Sequence, residues 1–183
     1  IITILREIIV NAVKANSKRL YFSFQNLDMF AEEEYLQGME GFKSFIVDNQ
    51  EFVEEELKKS DYKVVLYLKK FESGFSIHVQ NNSPIHPEEM NRIKTRIQKA
   101  KTYNDFSEVY CDVTDDSEGE GLGLVLTILF LKNTGIGVNS LQISSNDRIT
   151  DTSLVVPFQL KPVTVMNKIQ QQILNEVREL PTF

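Results

Sequence analysis

Three glycines at alternate positions, in Gly119-Glu120-Gly121-Leu122-Gly123-Leu124, run straight into an apolar segment that ends near Lys132. Such a junction has to be a loop opening a helix. Without Cβ atoms the loop has free access to positive φ and leaves nothing to block a ligand. The helix that follows presents unpaired backbone N–H groups and the positive end of its dipole, which together suit a phosphate. Glycine loops of this kind also open helices that bind nothing, so the reading needs a chemically matched partner elsewhere in the chain.

Composition narrows what that partner serves. The 183 residues, 42% hydrophobic and 25% charged, suit one domain with a proper core. A formal charge of −6 and no basic stripe argue against nucleic acid or an anionic membrane as partner. A polyphosphate would then need local neutralisation by a metal ion, a lysine or a helix N-terminus. The single cysteine, Cys111, excludes an internal disulfide and a cysteine-rich zinc site. It reads as a packing residue, and a reducing cytoplasm is the expected setting. The longest apolar run, Leu122 to Leu131, is about half of what a membrane span requires. The chain begins at Ile1, inside a helical pattern and without a signal-like segment, so a piece of a longer protein is expected.

Residues 1–17 read as a helix with Ile4, Ile8, Ala12 and Ala15 on its apolar face. Glu7, Asn11 and Lys14 fall at i, i+4 and i+7 on another face. Arg19 to Phe24 alternates and is rich in aromatics, which predicts a strand. The acidic stretch 26–60 carries Phe45, Phe52 and Leu57 and predicts one or two amphipathic helices. Tyr62–Phe71 and Phe75–Gln80 predict a hairpin turning at Glu72-Ser73-Gly74. Pro87, with Glu88 and Glu89 behind it, opens a helix to about Ala100. Residues 101–118 read as an acidic loop, and further strands are expected near Leu141–Ser144 and Ser153–Leu160. This order predicts an α/β (α+β) two-layer sandwich, a mixed sheet with helices on one face. Val165 to Leu180 predicts a further amphipathic helix.

A carboxylate, an amide oxygen and an ammonium on one helical stripe make a serviceable magnesium–phosphate surface. Asn11 can ligate Mg²⁺, Lys14 can offset phosphate charge, and Glu7 can orient a water or act as general base. The same three residues also suit a plain solvated helix face.

The segment Leu5-Arg6-Glu7-Ile8-Ile9-Val10-Asn11-Ala12-Val13-Lys14-Ala15-Asn16 resembles the N box of the histidine-kinase-type ATPases, the GHKL group that includes gyrase, Hsp90 and MutL. The run from Gly119 to Leu124 resembles the glycine box that hinges the ATP lid of that group. Ile77-His78-Val79-Gln80-Asn81-Asn82-Ser83-Pro84-Ile85 resembles its first glycine box, and Thr152 stands where the family places a threonine near the adenine. The resemblance covers about residues 1–160. It implies a Bergerat-type fold holding Mg²⁺-bound ATP, over a domain of residues 1–162 with an inserted acidic segment at 26–60 and a lid at 101–118. It also implies that Asn11 coordinates Mg²⁺ and Glu7 activates the nucleophile or water. Lys14 would contact phosphate beside the amides of Gly121, Leu122 and Gly123. Ile169 to Phe183 resembles the opening helix of HDOD signalling domains, which makes 163–183 a linker helix to a further domain.

The departures from the family pattern are specific. Asn81 replaces the aspartate that accepts the adenine amino proton, and Ser83 and Ile85 replace glycines. The histidines, His78 and His86, stand outside any helical phosphoacceptor motif, so phosphotransfer would go to another domain or protein. Two functions follow as expectations. One is an Mg²⁺·ATP-binding ATPase or kinase domain of a cytoplasmic signalling protein. The other is a catalytically silent relative that senses nucleotide or docks a protein partner. A third reading is an unrelated α/β protein with a chance glycine loop.

Overall fold

A computed structural model describes residues 1–113 and 121–159. The expected linker helix 163–183, residues 114–118 of the expected lid, and Gly119 lie outside the described residues.

The chain opens with α1, Ile2–Gln25, closed by Asn26 in the left-handed conformation at φ 52°. The strand expected at Arg19–Phe24 does not form; these residues are the last turns of α1. No β-branched residue, Gly or Pro lies between Arg19 and Phe24, so nothing there opposes helix. Their aromatic rings are covered by the acidic stretch, which folds as α2, Glu32–Asp48, and α3, Gln50–Lys59. Tyr21, Phe22, Met29, Tyr35 and Phe42 form a core of their own there. The apparent alternation was a helix turning two adjacent rings, Tyr21 and Phe22, into that second core.

The hairpin strands are β1, Val64–Lys70, and β2, Gly74–Asn81. Then come α4, Pro87–Thr102, α5, Phe106–Val113, and α6, Leu122–Asn133. A second hairpin, β3, Leu141–Ser145, and β4, Thr150–Pro157, completes the sheet. Among the described residues strand order is β1-β2-β4-β3 and every pairing is antiparallel. The expected mixed sheet is therefore corrected to an antiparallel one. With residues 19–24 in a helix, the sheet is simply two hairpins laid edge to edge.

The loop expected at 101–118 is corrected as well, since α5 occupies part of it. Asp105 Oδ1 accepts from the Ser107 and Glu108 amides at 2.8 and 3.1 Å. Glu108 Oε2 accepts from the Asn104 amide at 2.8 Å, tying the first turn to the residue before Asp105.

One face of the sheet carries Ile77, Val79, Leu141, Leu154 and Val156. It packs on Ile4, Ile8 and Ala12 of α1 and on Val125, Ile128 and Leu129 of α6. Full burial of each Val, Leu or Ile among these stabilises the fold by roughly 1.5–3 kcal/mol. α6 is apolar all round because it sits inside this layer. The alternate positions, Ser76, His78, Gln80, Ser153 and Val155, face the other way and are also buried. His78 Nδ1 lies 3.2 Å from both carboxylate oxygens of Asp151. Among the described residues Ser76 Oγ, His78 Nε2 and Gln80 Oε1 find no hydrogen-bond partner, and a buried polar atom left so costs about 1–3 kcal/mol. Among the described residues no helix is long and apolar enough to cross a membrane.

Candidate functional site

Gly121 caps the N-terminus of α6 at φ 98°, a left-handed conformation that disfavours any side chain. Its carbonyl accepts the first intrahelical bond, from the Val125 amide at 3.1 Å. Gly121 has no side chain with which to cap this end, and a helix N-terminus of this kind suits an anion. Two side chains approach it. A Cβ placed on Gly123 would land on the Glu7 carboxylate, and one on Gly121 would land on the Arg96 guanidinium. The absent side chains thus let α1 and α4 bring an anion and a cation against the α6 terminus.

Glu7 Oε1 accepts from Asn11 Nδ2 at 3.1 Å, so the i, i+4 pair stands as one unit beside Gly123. Glu7 is half-buried, while Asn11 and, on the following turn, Lys14 are exposed. Leu122 and Leu124 are half-buried and pack against the core. Arg96 was not singled out from the sequence. Its helix was readable, but not that Gly121 would leave room for a guanidinium.

The other end of the expected site is closed by the protein itself. Asn81 Nδ2 donates to Asn16 Oδ1 at 3.5 Å and to the Ser83 carbonyl at 3.3 Å. Ser83 Oγ donates to the same Asn16 oxygen at 2.7 Å. The Ser83 carbonyl also accepts from Thr150 Oγ1 at 2.6 Å, and Asn16 Nδ2 donates to the Lys63 carbonyl at 3.2 Å. Asn16, Asn81 and Ser83 are all at most 3% exposed, which leaves this network little access to solvent. The Ile85 amide is taken by Ser145 Oγ at 2.9 Å. Thr152, expected just before the last strand, lies within β4, half-buried between Val79 and Ile143. Thr150, not Thr152, joins the polar network. Asn16 went unassigned in the sequence because a buried amide five residues past Asn11 has no spacing signature. That separation puts the two ends of the site about 7.5 Å apart along α1.

Neither histidine is placed as a phosphoacceptor. His86 caps α4, its Nδ1 accepting from the Glu88 amide at 3.3 Å, and its ring stacks on Tyr35 at 4.1 Å and 6°. Burial holds its pKa below the ordinary value, against the opposing pull of Glu88 and Glu89. Protonating Nδ1 would also forfeit the cap. A histidine whose folded pKa is depressed contributes stability that is present above the unfolded value of about 6.5 and is lost as pH falls through the folded value. Stability should therefore decline between pH 7 and 5, and His86→Asn, which retains a capping oxygen, should flatten that decline. Urea unfolding of both proteins across this range is the check; parallel slopes would remove His86 from the account.

An uncharacterised protein of Treponema pallidum (strain Nichols) is 29% identical over 175 residues, which cover 96% of this chain and 34% of that protein. The chain thus spans about a third of the length of this relative. No family model matches the chain. No solved structure matches it either.

Proposed function

We propose that residues 1–162 are an ATP-binding domain of the histidine-kinase type, with a Bergerat-type fold. In this reading the polyphosphate of an Mg²⁺-nucleotide lies between α1 and the N-terminus of α6. The observation that carries the proposal is the Glu7 carboxylate, bonded to Asn11, set against Gly123. Two segments more than a hundred residues apart meet there through a glycine that no other residue could replace without moving Glu7. The donor set fits the ion: a hard cation that keeps several waters needs only one amide oxygen beside phosphate oxygens. Bound magnesium would supply charge neutralisation to the phosphates. Asn11 would hold it, Arg96 and Lys14 would offset remaining charge, and Glu7 would orient the attacking water or the acceptor group. The acceptor would belong to another domain or protein of a cytoplasmic signalling system.

The closed network at Asn16, Asn81, Ser83 and Thr150 favours a second reading, a catalytically silent relative with poor or no grip on a base. Calorimetry and thermal unfolding with Mg²⁺·ATP, Mg²⁺·GTP and Mg²⁺·tripolyphosphate separate the two. The first reading expects all three to stabilise the protein, by about 2.7 kcal/mol at a hundredfold excess over Kd. ATP should bind more tightly than GTP or tripolyphosphate, and Asn11→Ala should abolish the magnesium-dependent part. Undiminished binding by Asn11→Ala would reject the metal assignment. No stabilisation by any of the three would leave the silent reading. Where binding is found, loss of ATP hydrolysis in Glu7→Gln places the chemistry at Glu7.

A further inference from the structure

The core beneath α2 and α3 leaves aromatic rings on its outside. Phe24, in the last turn of α1, is 46% exposed, and Phe52 of α3 is 40% exposed. A single exposed ring is ordinary on any surface. These two touch, edge to face with centroids 5.1 Å apart, and Phe45 of α2 continues the patch 6.4 Å from Phe52. Three helices thus contribute one ring each to a continuous apolar surface. Packing does not require it, because α3 is already anchored through Val53, which is buried, and Leu57, half-buried one turn on. Carboxylates rim the rings. Asp48 stands one turn past Phe45 and Glu55 one turn past Phe52, each on the same helix face as its ring. Neither makes an ion pair or a side-chain hydrogen bond among the described residues, while the nearby Lys58 and Lys59 are held by Glu54 and Glu56 at 2.8 Å. The wider segment has the same sign. Residues 26–60 hold ten carboxylates and three lysines, a formal −7 in a chain whose total is −6.

We propose that this surface docks a basic amphipathic helix of another protein, its aliphatic side chains on the Phe24–Phe52 pair and its Lys or Arg beside Asp48 and Glu55. The rings supply contact area at low entropic cost, and the carboxylates steer the encounter and fix its register. A helix suits the spacing. Anchors at i and i+4 stand about 5–6 Å apart, close to the 5.1 and 6.4 Å between the rings, so each anchor covers one ring. Charge sets the other occupants aside. A second copy in a twofold contact would bring this acidic patch against itself. Nucleic acid and an anionic bilayer carry the patch's own sign. Phe24 lies about 25 Å along α1 from Glu7, so the docking surface stands apart from the Glu7–Gly123 contact and does not rest on nucleotide binding.

Calorimetry of the full chain with synthetic peptides tests this. The ligand is an amphipathic helix of leucine and lysine, about four turns long. One control peptide carries glutamate in place of every lysine, and the other serine in place of every leucine. The leucine–lysine peptide should bind roughly tenfold tighter than the serine–lysine control, and the leucine–glutamate peptide should not bind. Phe24→Ser with Phe52→Ser should weaken binding roughly tenfold. Asp48→Lys with Glu55→Lys should do the same and flatten its salt dependence. All four side chains are exposed, so both variants should keep the fold; if the ring pair unfolds on urea titration, the charge pair decides. No binding by the leucine–lysine peptide, equal binding by the serine–lysine control, or undiminished binding by the charge variant would overturn the proposal. So would sedimentation showing a dimer that the ring variant dissociates, which would give the face to a second copy.

Discussion

Asn81→Asp should destabilise the protein by about 2–4 kcal/mol at pH 8 and by much less at pH 4.5. In the family proposed above, aspartate is the ordinary residue, so an improvement in base binding would be the naive expectation. The surroundings argue otherwise. The Asn81 amide nitrogen faces two acceptors, Asn16 Oδ1 at 3.5 Å and the Ser83 carbonyl at 3.3 Å, at a position 2% exposed. A carboxylate there sets oxygen against oxygen without water. Turning the Asn16 amide over to greet it would break the bonds to Ser83 Oγ and to the Lys63 carbonyl. The introduced carboxyl is neutral in the fold at low pH, because burial and nearby acceptors raise its pKa above the unfolded value. Its penalty is therefore absent below about pH 4 and grows as pH rises through the folded value. Urea unfolding of wild type and variant at several pH values measures the widening gap. A base amino group is the one donor that could satisfy the new carboxylate. Mg²⁺·ATP should then recover part of the loss and Mg²⁺·GTP less, if this end ever opens to a base. A variant as stable as wild type at pH 8 would mean the network is already hydrated and open.

What the sequence made readable follows physical range. The β1–β2 turn at Gly74, the proline-led start of α4 and the glycine-led start of α6 are local chemistry, and each stands where its residues require. The grouping of Glu7 with Asn11 follows from helical spacing alone. Four features were hidden. Residues 19–24 became helical because of α2 and α3, elements whose docking no local pattern encodes. The α5 start was written in Asp105-x-x-Glu108, a legible capping pattern masked by the acidic composition around it. Arg96 and Asn16 matter only through contacts with Gly121 and Ser83, partners 25 and 67 positions away in the chain. Side chains acting across that distance leave no mark in a single sequence.

The second large effect belongs to Phe22. Its ring is 2% exposed, stacked near Tyr35 with centroids at 6.0 Å and edge-on to Tyr21 at 5.8 Å. Phe22→Ala should cost about 3–5 kcal/mol, the transfer loss plus an unfilled cavity. Gly38 of α2 sits directly over the ring, close enough that a Cβ there would strike it. Gly38→Ala alone should cost about 1–3 kcal/mol from overpacking, partly offset by the better helix former. Combined with Phe22→Leu, which draws back the atoms in collision, the two losses should sum to less than their separate values. Chemical denaturation of the four proteins gives the coupling, and strict additivity would deny that Gly38 is the seat of the ring. The damage should also travel along a defined route. α2 carries Tyr35, Tyr35 stacks on His86, and His86 caps the α4 helix whose Arg96 lies over Gly121. Hydrogen exchange in Phe22→Ala should therefore quicken first in α2 and next at the start of α4. The amides of β2 and β4, anchored in the other core through Ile77, Val79 and Leu154, should open only with the whole fold.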